Sequence, residues 1–455
     1  MIVMKFGGTS VEDAASIKRV VTIVRREMGR RPLVVVSACA GVTNDLIKVA
    51  QLARKGDKDA STGLLSRLHE RHRAIIDGLL YPPTSDRVRD AVSALFEELR
   101  NLVMGVYLLG ELTNRSLDTF SSYGERLSSL IIEAALLQDG LQAELLDARS
   151  IMITDAHFGS AHPMFDVLSE RVTEVLMPVL KSGKTVMTQG FIGATEDGAT
   201  TTIGRGGSDY SAAIFGAALG AEEIQIWTDV DGMMTADPRI VPEAKIVQQM
   251  SFDEASELAY FGAKVLHPKT ILPAVQRNIP VRVLNSRRPE LKGTLILKTP
   301  ATSGKFPVKS IASKKGITLV NVSSSRMLLA HGFLARIFSI FADHQKSVDV
   351  VSTSEVSVSV TIDSKDGLDA IRAELEQIGE TRVASGRAII CIVGERMKDT
   401  PGIAARVFGA LARAQVNVEM VSEGASEINI TLVVDEGAAD NAVRVLHEEF
   451  FAAHD

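Results

Sequence analysis

Over about the first 290 residues, short runs of consecutive apolar positions alternate with longer stretches in which apolar residues return every three or four places. The runs "IVMKF", "PLVVVSA", "KTVMTQGFIGA", "EIQIWTDV" and "PVRVLNS" are short and almost continuously apolar, and they read as strands buried on both faces. Residues 13–28 and 211–219 carry the helical period between them. Residues 60–123 are helical in pattern almost throughout, broken by a turn at Tyr81-Pro82-Pro83. In "SFDEASELAYFGA", Ser251 followed three places later by Glu254 forms a capping box that opens a short helix. Strands and helices in alternation predict an α/β structure, a mostly parallel sheet sandwiched by helices.

The pattern changes at residues 298–310, "KTPATSGKFPVKS", a stretch rich in Pro, Gly, Ser and Thr that predicts a linker. Beyond it the chain repeats itself. "GFLARIFSIFADHQKSVDVVS" begins at Gly332 and "GIAARVFGALARAQVNVEMVS" begins 70 positions later, at Gly402. Each copy reads strand, turn, amphipathic helix, strand and a β-rich segment, which is half or more of a ferredoxin-like βαββαβ unit. The expected organisation is a catalytic-size domain over 1–297, the linker over 298–310, and two small domains over 311–385 and 386–455. The strand in "VKSIAS" precedes the first repeat but fits the second as well.

Composition narrows the function classes. A chain of 455 residues accommodates about three domains at ~150 residues each. A net charge of −6 with mixed signs, and only 5 % aromatic residues, argue against nucleic acid as a partner. A cleavable signal needs roughly 7–15 apolar residues, whereas Lys5 interrupts the first run after four. No stretch approaches the ~18 apolar residues of a membrane span. Cys39 and Cys391 stand far apart, which fits a reducing compartment. A cytoplasmic chain without a membrane partner is therefore expected. The spacing in "HERH", residues 69–72, does not suit a zinc helix, and no metal site is expected.

Candidate chemistry lies in the glycine-rich loops. In "KFGGTSV" a strand ends at Phe6 and a helix is expected near Ser10 or Val11. Gly7 and Gly8 would let backbone N–H groups approach an anion, with Lys5 as a point charge beside them. An ordinary βα turn capped by Ser10 is the plain alternative. A second cluster, "TTIGRGGSDYSAAIFGAALG", sets Gly204, Gly206 and Gly207 around Arg205, followed by Ser208, Asp209 and a helix of small residues. A guanidinium there suits a planar carboxylate or phosphate, and two such loops imply a ligand with two anionic parts. "LKSGKT" ends like a P-loop, but Pro178 stands where its first glycine should be. Asp209 likewise occupies the last glycine's place in a dinucleotide fingerprint. A third loop, "WTDVDGMMTADPRIV", offers Thr228, Asp229 and Arg239 to a nucleotide, or is simply an Asp-rich turn.

Together "KFGGTSV", "SACAGVTN", "SYGERLS", "TQGFIGAT", "GRGGSDYSAA", "TDVDG", "TADPR" and "FGAKVLHPKT" stand in the order seen in aspartate kinases of the amino-acid kinase fold, and the tail resembles that family's paired ACT domains. The resemblance covers almost the whole chain. It implies transfer of the γ-phosphate of ATP to the side-chain carboxylate of L-aspartate, giving 4-phospho-L-aspartate on the route to lysine, threonine and methionine. On this resemblance Lys5, Gly7 and Gly8 sit at the γ-phosphate and Asp209 orients Lys5. Arg205 takes the substrate α-carboxylate and Glu125 its α-ammonium, with Thr43 and Ser208 in the same pocket. Thr228, Asp229, Arg239 and Lys264 fall on the nucleotide side, Met233 and Met234 stand near the base, and Mg²⁺ travels with ATP. The first repeat would bind an amino-acid effector, lysine or threonine, through Gly332, Phe333, Val348, Asp349, Thr353, Ser354 and Glu355. Leu329 and Ala330 replace the hydroxyl and imidazole groups of lysine-sensitive relatives, which counts against lysine. The ACT pair is expected to build a homodimer or a higher homo-oligomer, and no dehydrogenase domain is expected beyond Asp455. The rival readings are a kinase for glutamate or N-acetylglutamate, and an inactive amino-acid sensor that uses only its tail.

Overall fold

The computed structural model describes residues 1–261, 266, 268–300, 307–327, 331–423 and 428–452. The chain divides into two compact units, Met1–Met233 with Val265–Lys298, and Met234–Lys264 with Thr299–Asp455.

In the first unit the apolar runs form a parallel sheet. Its strands lie in the spatial order Ala143–Leu146, Thr185–Gln189, Pro32–Val36, Ile2–Phe6, Glu223–Thr228 and Val281–Asn285, followed by antiparallel Thr294–Leu297. All five residues of Ile2–Phe6, Pro32–Val36 and Thr185–Gln189 are buried, because helices cover both faces of these strands. Val42–Arg54, Lys58–Leu79, Thr84–Leu109 and Asn114–Gln138 supply most of the helical layer. Leu46, Leu65, Phe96 and Ile131 from these four helices share one core with Ile2, Met4 and Val34 from the strands.

The turn after Ile2–Phe6 departs from expectation. Gly8–Ser10 is a single 3₁₀ turn, and the helix begins only at Ala14, capped by Asp13, whose carboxylate accepts from the Ser16 N–H at 2.7 Å. That bond from the Ser16 amide lowers the Asp13 pKa. Ser10 is not the cap. Its buried hydroxyl hydrogen-bonds the Ser286 hydroxyl at 2.8 Å and so ties the turn to a distant part of the sheet.

The second unit is built on an antiparallel sheet ordered Val351–Thr353, Ser357–Ile362, Val308–Ser323, Glu380–Gly394, Asn429–Asp435 and Val418–Glu423. The expected linker ends early, since the first strand starts at Val308. Its first half, Ile311 included, packs in the second repeat's core, while Val320 and Val322 pack in the first's. The long strand thus serves both repeats. Helices Phe333–Asp343 and Ile403–Arg413 keep the 70-residue offset, each opening on a left-handed glycine, Gly332 (φ 79°) and Gly402 (φ 91°). The capping box holds: Ser251 donates its N–H to Glu254 Oε2 at 2.7 Å, and Glu254 donates its own to Ser251 Oγ at 3.1 Å.

The two units do not follow the linear order. Residues 234–264, expected within the catalytic domain, group with the ACT repeats. Ala236 and Val241 belong to the second repeat's core, and buried Glu254 pairs with Lys309 at 2.7 Å. Hydrophobic and ionic partners far away in sequence outweigh chain neighbourhood here. Among the described residues no helix is long and apolar enough to cross a membrane.

Candidate active site

The C-terminal ends of the parallel strands, where ligands of open α/β sheets bind, hold the site. Lys5 is near the end of its strand and nearly buried, and its ammonium lies 2.6 Å from Asp209 Oδ1. Asp209 sits in the first turn of helix Gly207–Leu219, which opens on left-handed Gly206 (φ 73°). This helix start packs tightly against residues 190–191. A Cβ on Gly190 would lie 2.7 Å from the Ser208 Cβ, and one on Gly207 would lie 2.6 Å from the Phe191 ring. The expected glycines at 206 and 207 are therefore needed for a backbone angle and a close approach.

A cavity of about 540 Å³ extends from Lys5 and Asp209 past Thr43, Glu125, Arg205 and Ser208. Glu125 projects from helix Asn114–Gln138, which comes close because Gly124 has no side chain: a Cβ there would meet the Ala38 Cβ at 2.7 Å. Glu125 Oε1 accepts from the Ala38 N–H at 3.1 Å, while Oε2 is buried without a hydrogen-bond partner. Burial pushes the Glu125 carboxyl up to about 8, against the downward pulls of the Ala38 N–H and Lys5. Arg205 is exposed on its loop and has no ionic partner among the described residues. The cavity thus holds one close ion pair, one carboxyl with an oxygen that has neither an ionic nor a hydrogen-bond partner, and one guanidinium without an ionic partner among the described residues.

The nucleotide-side candidates divide. Thr228 ends a strand adjacent to that of Lys5, and its hydroxyl donates to Asp229 at 3.2 Å. The loop beyond is fixed by Asn285, which donates to Asp231 Oδ1 at 2.6 Å, and by Arg288, which pairs with the same aspartate. Gly8 packs against the Ala38 carbonyl, which a Cβ would meet at 3.0 Å. The Gly7 N–H, expected to face phosphate, donates instead to the Trp227 carbonyl at 2.9 Å. Arg239 belongs to the second unit, where Asp237 binds its exposed guanidinium at 2.6 Å. Met233, expected beside the base, is fully buried and donates its N–H to Thr294 Oγ1 at 2.8 Å. Lys264 lies outside the described residues.

Sequence reading passed over Asp118, which lines the same cavity two helical turns before Glu125. The signal was its seven-residue spacing from Glu125, which puts both on one helix face.

In the second unit, Gly332 caps a helix and Phe333 packs partly into the first repeat's core. Val348 borders the same core, and Thr353 pairs with Val358 at the sheet edge. The Ser354 and Ser357 hydroxyls share a 2.8 Å bond, and Glu355 is exposed. Asp349 is already engaged: Lys314 lies 2.9 Å from Oδ2, and the Tyr260 hydroxyl donates to Oδ1 at 2.5 Å. Burial, and then this carboxylate, raise the Tyr260 pKa. Leu329 and Ala330 lie outside the described residues.

Comparison with known proteins bears on both units. The amino acid kinase family matches residues 1–285, and the ACT domain matches residues 320–375 and 390–450. Over 460 residues the chain is 38 % identical to lysine-sensitive aspartokinase 3 of Escherichia coli (strain K12), with 99 % of each covered. The crystal structure of E. coli aspartokinase III in complex with aspartate and ADP (R-state) matches with a TM-score of 0.82 at 37 % identity, covering 99 % of this chain and 100 % of that one. Its complex with lysine and aspartate (T-state) gives the same score and identity, with 99 % of each chain covered. With its sheet order, its cavity and these full-length matches in agreement, the chain belongs to the aspartokinases.

Proposed function

We propose that the cavity around Lys5 and Glu125 carries out the aspartokinase reaction, with the two ends of the substrate held by different residues. A side-chain carboxylate oxygen of L-aspartate attacks the γ-phosphorus of ATP, the bond from that phosphorus to the bridging oxygen breaks, and ADP leaves. Such transfer depends on alignment and charge neutralisation more than on covalent help from the protein. Lys5, oriented by Asp209, neutralises the moving phosphoryl group, and the turn at Gly7 and Gly8 shapes its approach. Arg205 takes the α-carboxylate and Glu125 the α-ammonium, with Thr43 and Ser208 beside them. Thr228 and Asp229 serve the nucleotide, and Arg239 and Lys264 are the cations to test for its phosphates. Mg²⁺, entering on the phosphate oxygens of ATP, supplies further neutralisation.

The observation that carries this reading is the buried, unpartnered Glu125 Oε2 in the same cavity as an unengaged Arg205. A carboxylate and a guanidinium left open together complement the ammonium and carboxylate of an amino acid. They are of no use to a sensor that acts only through its tail. The test is ADP release from Mg·ATP with L-aspartate, L-glutamate and N-acetylglutamate in parallel, for the native chain and for Arg205→Ala. Turnover on aspartate alone, with a raised aspartate KM in the variant, is expected. Turnover on N-acetylglutamate would overturn the ammonium role of Glu125, since that substrate has no ammonium.

We further assign an end-product amino acid, lysine first because a full-length relative is lysine-sensitive, to Gly332, Phe333, Val348, Asp349, Thr353, Ser354 and Glu355. A homodimer through the ACT repeats belongs to the same reading.

A further inference from the structure

Asp118 is a buried carboxylate, 2 % exposed, with no cationic partner among the described residues. Neutral donors from a loop and from the end of a short strand satisfy it. Its Oδ2 accepts from the Gly159 N–H at 2.9 Å and from the Thr202 N–H at 3.0 Å, and its Oδ1 accepts from the Thr202 hydroxyl at 2.7 Å. Burying an anion on neutral donors alone is costly, so the arrangement calls for a reason beyond filling space. Thr202 closes the short strand Thr200–Thr202, and Arg205 follows three residues later. The Ala161 N–H adds a 2.9 Å bond to the Thr202 carbonyl. On its far side the loop is fixed by the Gly207 N–H to the Gly204 carbonyl at 3.0 Å. Gly204 faces the anchored Gly159 loop, where an added Cβ would sit 3.5 Å from the Gly159 carbonyl and from Ser160. Asp118 is thus a three-point clamp on the strand end that leads into Arg205 and on the Gly159 loop beside it, while the Arg205 side chain is held by no ion pair among the described residues.

We infer that Asp118 is a positioning residue for substrate: by clamping Thr202 and Gly159 it sets Arg205 to receive the α-carboxylate of aspartate. This rests on the reading that Arg205 binds that carboxylate. A guanidinium displaced by about an ångström loses its bidentate geometry, which costs on the order of tenfold or more.

The test is a double-mutant cycle read in steady-state kinetics, with KM for aspartate, KM for ATP and kcat measured separately. Asp118→Ala is expected to raise the aspartate KM about tenfold in the native chain and less than about twofold in an Arg205→Ala background, because the second change has already removed what the clamp positions. KM for ATP should stay within about twofold in both. Asp118→Asn tests the geometry: its amide oxygen can accept both backbone N–H groups while the Thr202 hydroxyl turns to accept from the new NH₂. This variant should keep the aspartate KM within about threefold of native. Effects that multiply in the double variant, equal losses in kcat and both KM values, or Asn as damaging as Ala would each overturn the inference. Should Asp118→Ala fail to fold, Thr202→Val removes one clamp bond and should raise only the aspartate KM, and an unchanged KM would then overturn it. An Arg205→Ala variant with a native aspartate KM would instead overturn the underlying reading of Arg205, a distinct result.

Discussion

In the cavity Lys5 is already paired, its ammonium 2.6 Å from Asp209, whereas Glu125 and Arg205 have no ionic partner among the described residues. A paired lysine is held in one orientation before any ligand arrives, so on the proposed reading its charge is already in place for the phosphoryl group as it moves from one oxygen to the other. An unpaired, buried carboxyl is a standing cost that a specific ligand removes on binding. The difference is what the proposed function needs if one cavity is to separate recognition from chemistry. On the proposed reading, the groups that act on phosphate are already paired with each other, and the groups that recognise aspartate are left open for it.

The comparison breaks most visibly at Lys5. Lys5→Ala should lower kcat on the order of 10³-fold with the aspartate KM nearly kept. A matching rise in that KM would mean that recognition and chemistry are not separate. A sharper effect comes from protons. With its carboxyl pushed up to about 8, Glu125 is mostly neutral at pH 7, and holding an ammonium requires it to ionise. Aspartate binding at pH 7 should therefore release a proton fraction that shrinks to nothing as pH rises well past 8. The apparent affinity for aspartate should improve over the same range. Calorimetry in two buffers of different ionisation enthalpy reads this directly, and Glu125→Gln should abolish the release. A pH-independent heat would show Glu125 already charged.

The smallest effect is on stability. Because the folded-state pKa lies above the ordinary value of 4.5, ionisation of Glu125 disfavours the ligand-free fold progressively between those two values and fully above the higher one. The Tm of Glu125→Gln relative to native should rise from pH 5 to pH 9. A constant difference would remove the desolvation account.

Features with a local cause were legible in the sequence. Continuous apolar runs announced doubly covered strands, and Ser251 with Glu254 announced its helix start. The Gly332 and Gly402 repeats fell on matching left-handed caps. What escaped depends on partners far along the chain. Ser10 looks like a cap until Ser286, 276 residues away, takes its hydroxyl. The Gly7 amide looks free until Trp227 claims it. The spacing of Asp118 from Glu125 marks its helix face, but its three donors come from Gly159 and Thr202, which no local pattern names.

The grouping of residues 234–264 with the ACT repeats bears on how this enzyme could be taken apart or rebuilt. The polypeptide passes from one unit to the other three times, so the unit that holds the ACT repeats is assembled from two separate stretches of chain and not from the tail alone. A stop codon in the stretch after Lys298 would not release a free-standing kinase, because it would strip Ala236, Val241 and Glu254 of the core and the lysine that cover them. Exchange of the tail between relatives would likewise have to carry this internal stretch along, as two grafts made together.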